Sequence, residues 1–447
     1  MSTGEIQPYS ASALLLFPTT KLACEAITEM KGTGLLSAAE FFDRKAMRTV
    51  EKDFPELQGL PEDAGAALIR TDALTQEELT EKNEALEKLL HHYNLCTPAD
   101  FTSDPTLTGK YWAMRSGIFP AVGGTREVGT TCLIEDIAFP IEHLAQATLD
   151  LQQLFIEHNY PEAVIYGHAL EGNYHFILNQ RFDSPQAIAQ YDGMMRAVVD
   201  LVVDKYHGSL KAEHGTGRNM APFVREEWGD DAFQVMKTVK ELFDPKGLLN
   251  PGVIFNDDPQ CHIKNFKPLP LIPLGPDSPA TKVNRCIECG FCEVNCLSCG
   301  FTLSSRQRIV LQREMARLRQ SNEDPKRLAL LEKQYRYPGN ETCAGDGLCS
   351  MSCPMGINTG DLTHVIRQEA LPQGSFGYKA GDFVANHFAG IKNSLRPVLS
   401  LANFGHSILG TKAMSGITKG MHNVMGIPLW TPAMPKAYRI QIQYLKK

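Results

Sequence analysis

The sequence predicts an α+β domain built on an antiparallel sheet, followed by a mainly helical, cysteine-rich domain. Strand-like and helix-like segments alternate through the first 255 residues, and eight of the twelve cysteines fall between Cys286 and Cys353. Six prolines between residues 257 and 282 indicate a linker. We therefore expect a first domain over 1–256, a linker over 257–282, a cysteine-rich domain over 283–365 and a tail over 366–447.

The elements of the first domain are predicted from periodicity. The apolar run Ser12–Phe17 is typical of a buried strand, and Thr75 with Glu78 forms a capping-box pattern before a helix that ends near Tyr93. Pro140 is expected to open a helix that ends near His158. Further strands are predicted around residue 134 and on either side of the turn at residue 172, and further helices over 184–206 and 229–243. This pattern favours helices on one face of an antiparallel sheet.

Charge is unevenly distributed along the chain. The net charge is −7, but Ile366–Lys447 carries ten Lys or Arg against two Asp or Glu, so the remainder sums to −15. A basic tail of this kind favours docking on an acidic protein surface or on anionic lipid. The sequence has neither a signal-peptide pattern nor an apolar run of roughly 18–20 residues. We expect a cytoplasmic protein, with peripheral attachment to the inner face of the membrane as an alternative, and no nucleic-acid partner.

The cysteines form two runs with the spacing of iron–sulfur ligands. The first is Cys286-x2-Cys289-x2-Cys292-x3-Cys296, and the second is Cys343-x5-Cys349-x3-Cys353 followed by proline. In two-cluster ferredoxins the fourth cysteine of each run binds the other cluster. Counting three residues from Cys343 places Asp346 where the second run lacks a cysteine.

Crossed ligation then predicts two clusters. A four-iron cluster is expected on Cys286, Cys289, Cys292 and Cys353, and a second cluster on Cys296, Cys343, Cys349 and Asp346. Because carboxylate binds iron less tightly than thiolate does, the second cluster is expected to be [3Fe–4S] or a labile [4Fe–4S]. Structural zinc is the alternative for paired cysteines. Cys299 fits neither pattern, and the basic helix predicted over 306–320 is interpreted as solvated on its charged face.

A second chemical centre is predicted from histidines. His168 and His175 flank a strand–turn–strand, and Glu213 precedes His214 some forty residues later. Two imidazoles and a carboxylate suit a divalent metal with open positions, which would lower the pKa of a substrate hydroxyl. His214 would then accept the hydroxyl proton. Gly215 and Gly217 would permit close approach to a flat ring system. Histidines near strands are also often ordinary core residues, and spacing alone leaves that alternative open.

Three motifs carry a family resemblance. GHALEGNYH, AEHGTGR and DPKGLLNPG resemble, in this order, the signatures of the FAD-linked oxidase C-terminal domain of vanillyl-alcohol-oxidase type, whose members include D-lactate, D-2-hydroxyglutarate and glycolate dehydrogenases. The resemblance covers about 10–256. It implies that His168, His175 and Glu213 bind a divalent metal (Zn, Mn or Fe) and that His214 is the catalytic base. It also implies that Asn250 lies near flavin and substrate, and that Arg115 binds the substrate carboxylate.

The sequence departs from the family pattern at Leu170-Glu171, where glycine-aspartate is usual, and at Phe119, where hydroxyglutarate-oxidising relatives have a small hydroxyl residue. Because of these two departures, the resemblance does not identify the substrate. Fusion to the cysteine-rich region resembles large bacterial flavin and iron–sulfur dehydrogenases, in which a flavin-binding domain precedes this segment and a second cysteine-rich domain follows it. No glycine-rich pyrophosphate-binding stretch precedes His168. We therefore expect a split or truncated member that is inactive without a separate FAD-binding domain or subunit.

The function expected is oxidation of a D-2-hydroxy acid to its 2-oxo acid. Electrons would pass from FAD through the iron–sulfur clusters to a quinone, a cytochrome or another protein. Two alternatives stay open: a non-catalytic iron–sulfur electron-transfer subunit of a larger flavoprotein complex, and a zinc-binding interaction protein.

Overall fold

A computed structural model describes residues 6–267, 270–371, 373–425 and 429–431. Contacts divide the chain into two compact units, Met1–His364 and Val365–Lys447, which are considered separately. Residues 268–269 of the predicted linker and residues 372, 426–428 and 432–447 of the predicted tail lie outside the described residues.

One six-stranded antiparallel sheet forms the centre of the first unit, and this confirms the predicted fold class. Its order is β1-β3-β2-β5-β6-β4. The strands are β1 (Tyr9–Phe17), β2 (Ala38–Asp43), β3 (Gly65–Ala73), β4 (Thr131–Ala138), β5 (Val164–Gly167) and β6 (Asn173–Gln180). The apolar run predicted as a buried strand is the larger part of β1.

The α-helices between residues 20 and 243 are α1 (Thr20–Thr33), α2 (Arg44–Val50), α3 (Gln76–Leu90), α4 (Pro105–Thr125), α5 (Leu144–Glu157), α6 (Pro185–Val199) and α7 (Val224–Phe243). The two halves of the sheet share one topology. In each half the chain forms a strand, then a helix, then two further strands. In the sheet, the third of these strands lies between the first and the second and pairs with both. The halves meet where β2 pairs with β5 through Phe41 and Phe42.

Helices cover both faces of the sheet, which differs from the expectation of one covered face. Side chains of α1, α3, α5 and α6 pack on one face, and those of α2 and α4 pack on the other. The reason is visible in β1, whose last seven residues are all buried instead of alternating between buried and exposed. A strand with apolar side chains in both directions requires a cover on both faces.

The cysteine-rich region consists of short turns and three helices: α8 (Ser305–Ser321), α9 (Pro325–Tyr335) and α10 (Thr359–Glu369). Ser304 and Gln307 form a capping box at the start of α8. Ile309, Met315 and Leu318 are buried, as the amphipathic pattern predicts. Arg308 and Arg313 are buried as well, so the interpretation of this helix as having a fully solvated charged face is wrong at these two positions.

The last turn of α4 packs closely against the cysteine-rich region. A Cβ on Gly123 would lie 2.9 Å from Ile287 Cγ2, and a Cβ on Gly124 would lie 2.1 Å from Met355 Cε. Arg126 follows at the end of the helix and donates to the backbone carbonyls of Arg285 at 2.8 Å and Cys286 at 3.1 Å. The absence of a side chain at these two positions allows the close packing where the two regions meet.

The second unit contains two helices, α11 (Phe376–Asn386) and α12 (Phe388–Met425), and α12 is kinked at Gly410. Many of their large apolar side chains are exposed, among them Phe376, Leu401 and Ile408. Among the helices that the structure describes, none has the length and apolar character that would let it cross a bilayer.

Candidate active site

Strands β2, β4 and β6 bring three polar side chains to the sheet face covered by α4. Asp136 on β4 pairs directly with His175 on β6, and Glu40 on β2 lies on the same face as Phe42, while Phe41 points to the opposite face. Side chains alternate along a strand, so each points away from the neighbouring core residues. All three are themselves buried. They form the rigid floor of the site.

The turn after β5 adds His168 to this floor. Gly167 has φ +151°, and a Cβ there would lie 2.7 Å from the carbonyl oxygen of Asn173. Only glycine permits this close approach of β5 to β6. His168 therefore follows β5 directly above the start of β6, with its ring centroid 5.5 Å from that of His175.

The carboxylate of Glu213 lies between the two histidines. Its Oε1 is 3.3 Å from His168 Nε2 and 3.1 Å from His175 Nε2. The loop that carries Glu213 is held by Asp136, whose Oδ2 accepts the backbone N–H groups of Glu213 at 2.7 Å and His214 at 2.9 Å. The predicted trio of metal ligands is therefore brought together by the fold.

Each histidine turns its other nitrogen toward a buried carboxylate. His168 Nδ1 lies 2.6 Å from Glu40 Oε1, and His175 Nδ1 lies 3.6 Å from Asp136 Oδ1. His175 Nδ1 is buried and has no closer hydrogen-bond partner among the described residues. Metal-binding histidines typically place a carboxylate behind the ring, which fixes the tautomer and directs the other nitrogen at the ion. Both imidazoles show this arrangement.

The charges of these groups suit metal ligation. Burial lowers the pKa of His175 to about 4, and the positive charge of His214 adds to this, so His175 is neutral near pH 7. Burial alone would raise the pKa of Asp136, but N–H donors from His214, Glu213 and Asn173 bring it below its usual value. Burial would likewise raise the pKa of Glu40, and the hydrogen bond from His168 and the charge of Arg115 lower it. A neutral His175 thus faces an ionised Asp136, whereas the hydrogen bond to Glu40 raises the pKa of His168 above its usual value.

Arg115 on α4 reaches the same site. Its Nε donates to Glu40 Oε2 at 3.2 Å, its Nη2 lies 3.0 Å from His168 Nε2, and its guanidinium lies over the ring of Tyr166 at 5.7 Å. The side chain keeps a quarter of its surface exposed. Glu40 therefore positions both Arg115 and His168.

His214 lies beside the metal-ligand trio. Its ring stacks on that of His175, with centroids 4.7 Å apart and planes 2° from parallel, and its Nε2 is 3.7 Å from Glu213 Oε1. His214 is exposed, in contrast to the buried His175. It is therefore accessible to a molecule bound at the trio.

The glycines after His214 present bare backbone to open space. Gly215 and Gly217 have φ of +73° and +61°, and a Cβ on either would meet no atom within 4 Å. The loop that contains Asn250 is joined to them: Ile254 N–H donates to Gly217 O at 3.1 Å, and Arg218 Nη2 donates to Pro251 O at 3.0 Å. Asn250 itself is exposed, with φ +43°. An uncovered backbone of this kind fits the approach of a flat ring such as that of a flavin.

The donor distances fit a divalent ion. Ligands about 2.1 Å from a metal at right angles to one another are about 3.0 Å apart, close to the 3.1 and 3.3 Å measured at Glu213. One donor each from Asp136, His175, Glu213 and His214 also lie within 4.8 Å of one another. This group shares His175 and Glu213 with the predicted trio, but it does not include His168. Both oxygens of Asp136 already accept hydrogen bonds, from Asn173 and from the Glu213 loop, which favours a positioning role for Asp136.

A cleft of about 740 Å³ opens over these residues. Glu40, His168, Asn173, Glu213 and Trp228 line it. Phe119, where the sequence departs from the family, packs instead into the apolar cluster beneath α4. The cleft is large enough for a small organic acid next to the histidines.

The predicted ligands of the second cluster surround one cavity. Cys296, Cys343, Cys349 and Asp346 all line a narrow cavity of about 20 Å³ at the start of α8. Cys296 Sγ lies 3.6 Å from Arg308 Nη1 and 3.4 Å from Ser298 Oγ, and Thr359 N–H points at Cys349 Sγ from 3.4 Å. Three thiols and a carboxylate around one space suit an iron–sulfur cluster.

The predicted ligands of the first cluster lie nearer to α4. Glu288 N–H lies 3.4 Å from Cys286 Sγ. Burial, followed by the neighbouring Cys286, Cys353 and Cys349, raises the pKa of the Cys292 thiol to about 11. Crowding of this kind among thiols fits a site whose positive charge comes from a metal cluster.

Sequence reasoning missed the residues that support the predicted ligands. Glu40 was available as the one charge inside the run AAEFF, and Asp136 as part of a Glu-Asp pair inside a strand. A charged residue in a buried strand is rare unless it has a partner. Arg126 and Arg308 carry no comparable signal, because basic residues on helices are usually exposed.

Comparison with known proteins gives two family matches along this chain. Residues 6–254 match the family model "FAD linked oxidases, C-terminal domain", and residues 282–357 match "4Fe-4S dicluster domain". The mitochondrial D-lactate dehydrogenase [cytochrome] of Kluyveromyces lactis is 24% identical over 259 residues, which are 57% of this chain and 44% of the relative. The glycolate oxidase subunit GlcD of Escherichia coli K12 is 26% identical over 246 residues, 55% of this chain and 48% of the relative.

A solved structure of 4-ethylphenol oxidase from Gulosibacter chungangensis, an isoeugenol complex, is also similar to this chain. It is 14% identical with a TM-score of 0.41, and the match covers 57% of this chain and 56% of that one. The chain spans about half the length of the curated relatives named above. Since the oxidase model matches more than half of the chain, the protein belongs to the family of FAD linked oxidases, C-terminal domain, and it carries a 4Fe-4S dicluster domain after that region.

Proposed function

We propose that this chain contributes the substrate-oxidising site of a flavin-dependent D-2-hydroxy-acid dehydrogenase and conducts the electrons through two iron–sulfur clusters. The observation that carries the proposal is that His168 Nε2 and His175 Nε2 both lie within 3.3 Å of Glu213 Oε1, beside the exposed His214. The substrate classes are those of the relatives, D-lactate and glycolate, together with D-2-hydroxyglutarate from the motif resemblance. The FAD is supplied together with a separate flavin-binding domain or subunit.

Substrate binding would use both charges of the site. Arg115 has a partly exposed guanidinium next to His168, so it can pair with the carboxylate of a 2-hydroxy acid. The hydroxyl of the same molecule, one carbon away, then falls near Glu213 and the two imidazoles. A divalent ion (Zn, Mn or Fe) held by His168, His175 and Glu213 would supply Lewis-acid polarisation of that hydroxyl.

Proton removal is assigned to His214. Its Nε2 faces the ligand trio from 3.7 Å, and Asp136 fixes its backbone through the N–H group. The oxidation releases two electrons and two protons per substrate: His214 takes the hydroxyl proton, and the hydrogen on the carbon leaves as hydride. The uncovered backbone of Gly215 and Gly217, with the nearby Asn250, would hold FAD, and FAD would supply the hydride acceptor.

Electrons would leave through the cysteine-rich region. Arg115 and Arg126 lie eleven residues apart at opposite ends of the second half of α4, roughly 16 Å along the helix, and Arg126 donates to Cys286 O. The cluster on Cys286, Cys289, Cys292 and Cys353 is therefore the nearer of the two to the oxidation site. The cluster on Cys296, Cys343, Cys349 and Asp346 would follow and pass electrons to a quinone, a cytochrome or another protein.

Metal binding gives the first test. The full chain is first freed of metal with a chelator and then titrated with Mn²⁺ in a calorimeter. Mn²⁺ is chosen because thiols prefer softer ions. Glu213→Gln should weaken Mn²⁺ binding by about 100-fold or more, because it removes the central charged ligand. Glu157→Gln is the matched control, since Glu157 is exposed, accepts from Gln153 Nε2 at 2.9 Å and lies outside the groups of side chains that could hold an ion. Equal loss in both variants would contradict the assigned site.

Turnover gives the second test. The chain is mixed with a separately produced FAD-binding domain of a relative and assayed with D-lactate, glycolate and D-2-hydroxyglutarate, with a dye as electron acceptor. His214→Gln should lower kcat by about 10²–10⁴-fold and leave Mn²⁺ affinity within about twofold. If Mn²⁺ affinity falls as far as in Glu213→Gln, His214 is a ligand and not the base. If both variants oxidise substrate at the unmodified rate, the chain is a non-catalytic electron-transfer subunit.

A further inference from the structure

Arg308 is a buried cation that faces the cavity of the second cluster. Only 1% of its surface is exposed. Its donors reach Gly339 O at 2.6 Å, Ser298 Oγ at 2.8 Å, Thr342 Oγ1 at 3.2 Å and Pro338 O at 3.4 Å. Its Nη1 points to Cys296 Sγ from 3.6 Å. All the other partners named are neutral, so its positive charge is not balanced by them.

The other buried arginine of α8 has an ordinary ion pair. Arg313 Nη1 lies 2.8 Å from Glu288 Oε1, and Nη2 donates to Cys286 O at 2.9 Å. Arg308 differs in this respect: among the described residues, no carboxylate oxygen lies within 4.0 Å of its guanidinium nitrogens. Burying an unpaired charge costs several kcal/mol. The counter-charge of Arg308 must therefore come from the cavity that it faces.

We propose that Arg308 is the counter-charge of the second iron–sulfur cluster and raises the reduction potential of that cluster. The inference rests on the proposed ligand set of Cys296, Cys343, Cys349 and Asp346. A cluster held by thiolates and a carboxylate is anionic, and Arg308 is the cation in direct contact with one of those thiols. The first turn of α8 adds to this effect, since Ser305 lines the same cavity and the positive end of the helix dipole lies there.

The effect on potential follows from charge. When the cluster accepts one electron, no bond to Arg308 forms or breaks, but the cluster gains one negative charge. A fixed guanidinium in a poorly solvated site stabilises that added charge more than it stabilises the oxidised form. Net charge and hydrogen bonds to the sulfurs are known determinants of cluster potentials. Arg308 thus favours the arrival of the electron at the second cluster.

The experiment is a redox titration of the full chain, with clusters reconstituted from iron and sulfide, in which spin resonance follows each cluster under dithionite. Arg308→Gln should lower the reduced-to-oxidised ratio of the second cluster at fixed potential at least tenfold, a shift of 59 mV for one electron. The first cluster should shift by less than twofold in the same ratio. Arg308→Lys keeps the charge and should restore most of the potential, which excludes a purely structural effect.

Arg319→Gln is the matched control. Arg319 lies on the same helix but is exposed and paired with Glu332 at 2.8 Å, so neither cluster should change. Iron and sulfide content are measured for each variant. If Arg308→Gln assembles both clusters and the second keeps its potential, the inference is overturned. If the unmodified chain assembles only one cluster, the proposed ligand set fails, and this outcome is distinct from the first.

Discussion

The histidine–carboxylate site and the cysteine sites are built in opposite ways. The first draws Glu40, Asp136, His175 and Glu213 from three strands and a loop, across 174 positions between Glu40 and His214. The second is held by short turns around two cysteine runs, with ligands three to six positions apart within each run. A strand-based site needs the whole sheet to be correct, whereas a turn-based site needs only local spacing.

The two regions nevertheless solve a common electrostatic problem. Each places ligands predicted from the sequence against charged groups that the sequence analysis did not identify. Behind His168 and His175 these are the buried carboxylates of Glu40 and Asp136, and beside Cys296 it is the buried guanidinium of Arg308. The supporting charge has the opposite sign at the two sites. A neutral imidazole becomes a stronger ligand when an anion lies behind the ring, whereas an anionic cluster is stabilised by a cation.

Asp136→Asn should give the largest effect on the histidine–carboxylate site. Asp136 accepts hydrogen bonds from Glu213 N–H, His214 N–H and Asn173 Nδ2. Asparagine keeps only one acceptor oxygen, so its amide NH2 group would face at least one of these donors. We expect Mn²⁺ affinity to fall about 100-fold, measured by calorimetry. Iron content and absorbance of the clusters should not change. Parallel loss of both sites would contradict the independence of the two regions.

A matched control is available in the same half of the sheet. Asp183 is exposed and pairs with Arg181 at 3.2 Å. Asp183→Asn removes the same charge without touching the Glu213 loop, so Mn²⁺ affinity should change less than twofold. Urea unfolding of both variants separates a local loss of the loop from a general loss of stability.

The sequence predicts what depends on local pattern. The antiparallel sheet, the capped helix that begins after Thr75 and the grouping of Cys296, Cys343, Cys349 and Asp346 around one cavity all follow from spacing of a few residues. The convergence of His168 and His175 on Glu213 follows from a turn and from motifs. The roles of these residues stay predictions.

Features that depend on distant packing were not predicted. Helices α2 and α4 cover the second face of the sheet because β1 is buried on both sides, and a run of apolar residues does not say which helix will cover it. Glu40 lies 128 positions from His168, so their contact exists only after β2 has paired with β5. Arg308 was predicted to lie on the solvated face because the prediction relied on its charge and not on its position in the helical pattern.

Glu40→Gln should have a smaller effect than Asp136→Asn. Glu40 contacts two groups, His168 Nδ1 at 2.6 Å and Arg115 Nε at 3.2 Å, and glutamine can still accept from one of them. We expect Mn²⁺ affinity to fall about tenfold and KM for the hydroxy acid to rise, because Arg115 loses its fixed partner. Glu171→Gln is the control: Glu171 lines the same cleft but pairs with Lys31 at 3.2 Å. Equal effects in the two variants would argue against a positioning role for Glu40.

Asp346→Cys should leave the histidine–carboxylate site untouched and change only the second cluster. Asp346 lines the cavity with three cysteines and accepts the N–H of Leu348 at 3.1 Å, so a thiol at this position faces the same space. If the unmodified cluster has three irons, iron content should rise from about seven to about eight per chain, and the spin-resonance signal of a three-iron centre should disappear. Mn²⁺ affinity should change less than twofold. Cys299→Ser, at an exposed thiol outside both runs, should change neither quantity. Two ordinary all-cysteine four-iron centres in the unmodified chain would contradict the assignment of Asp346, because the carboxylate would then have no place among the ligands.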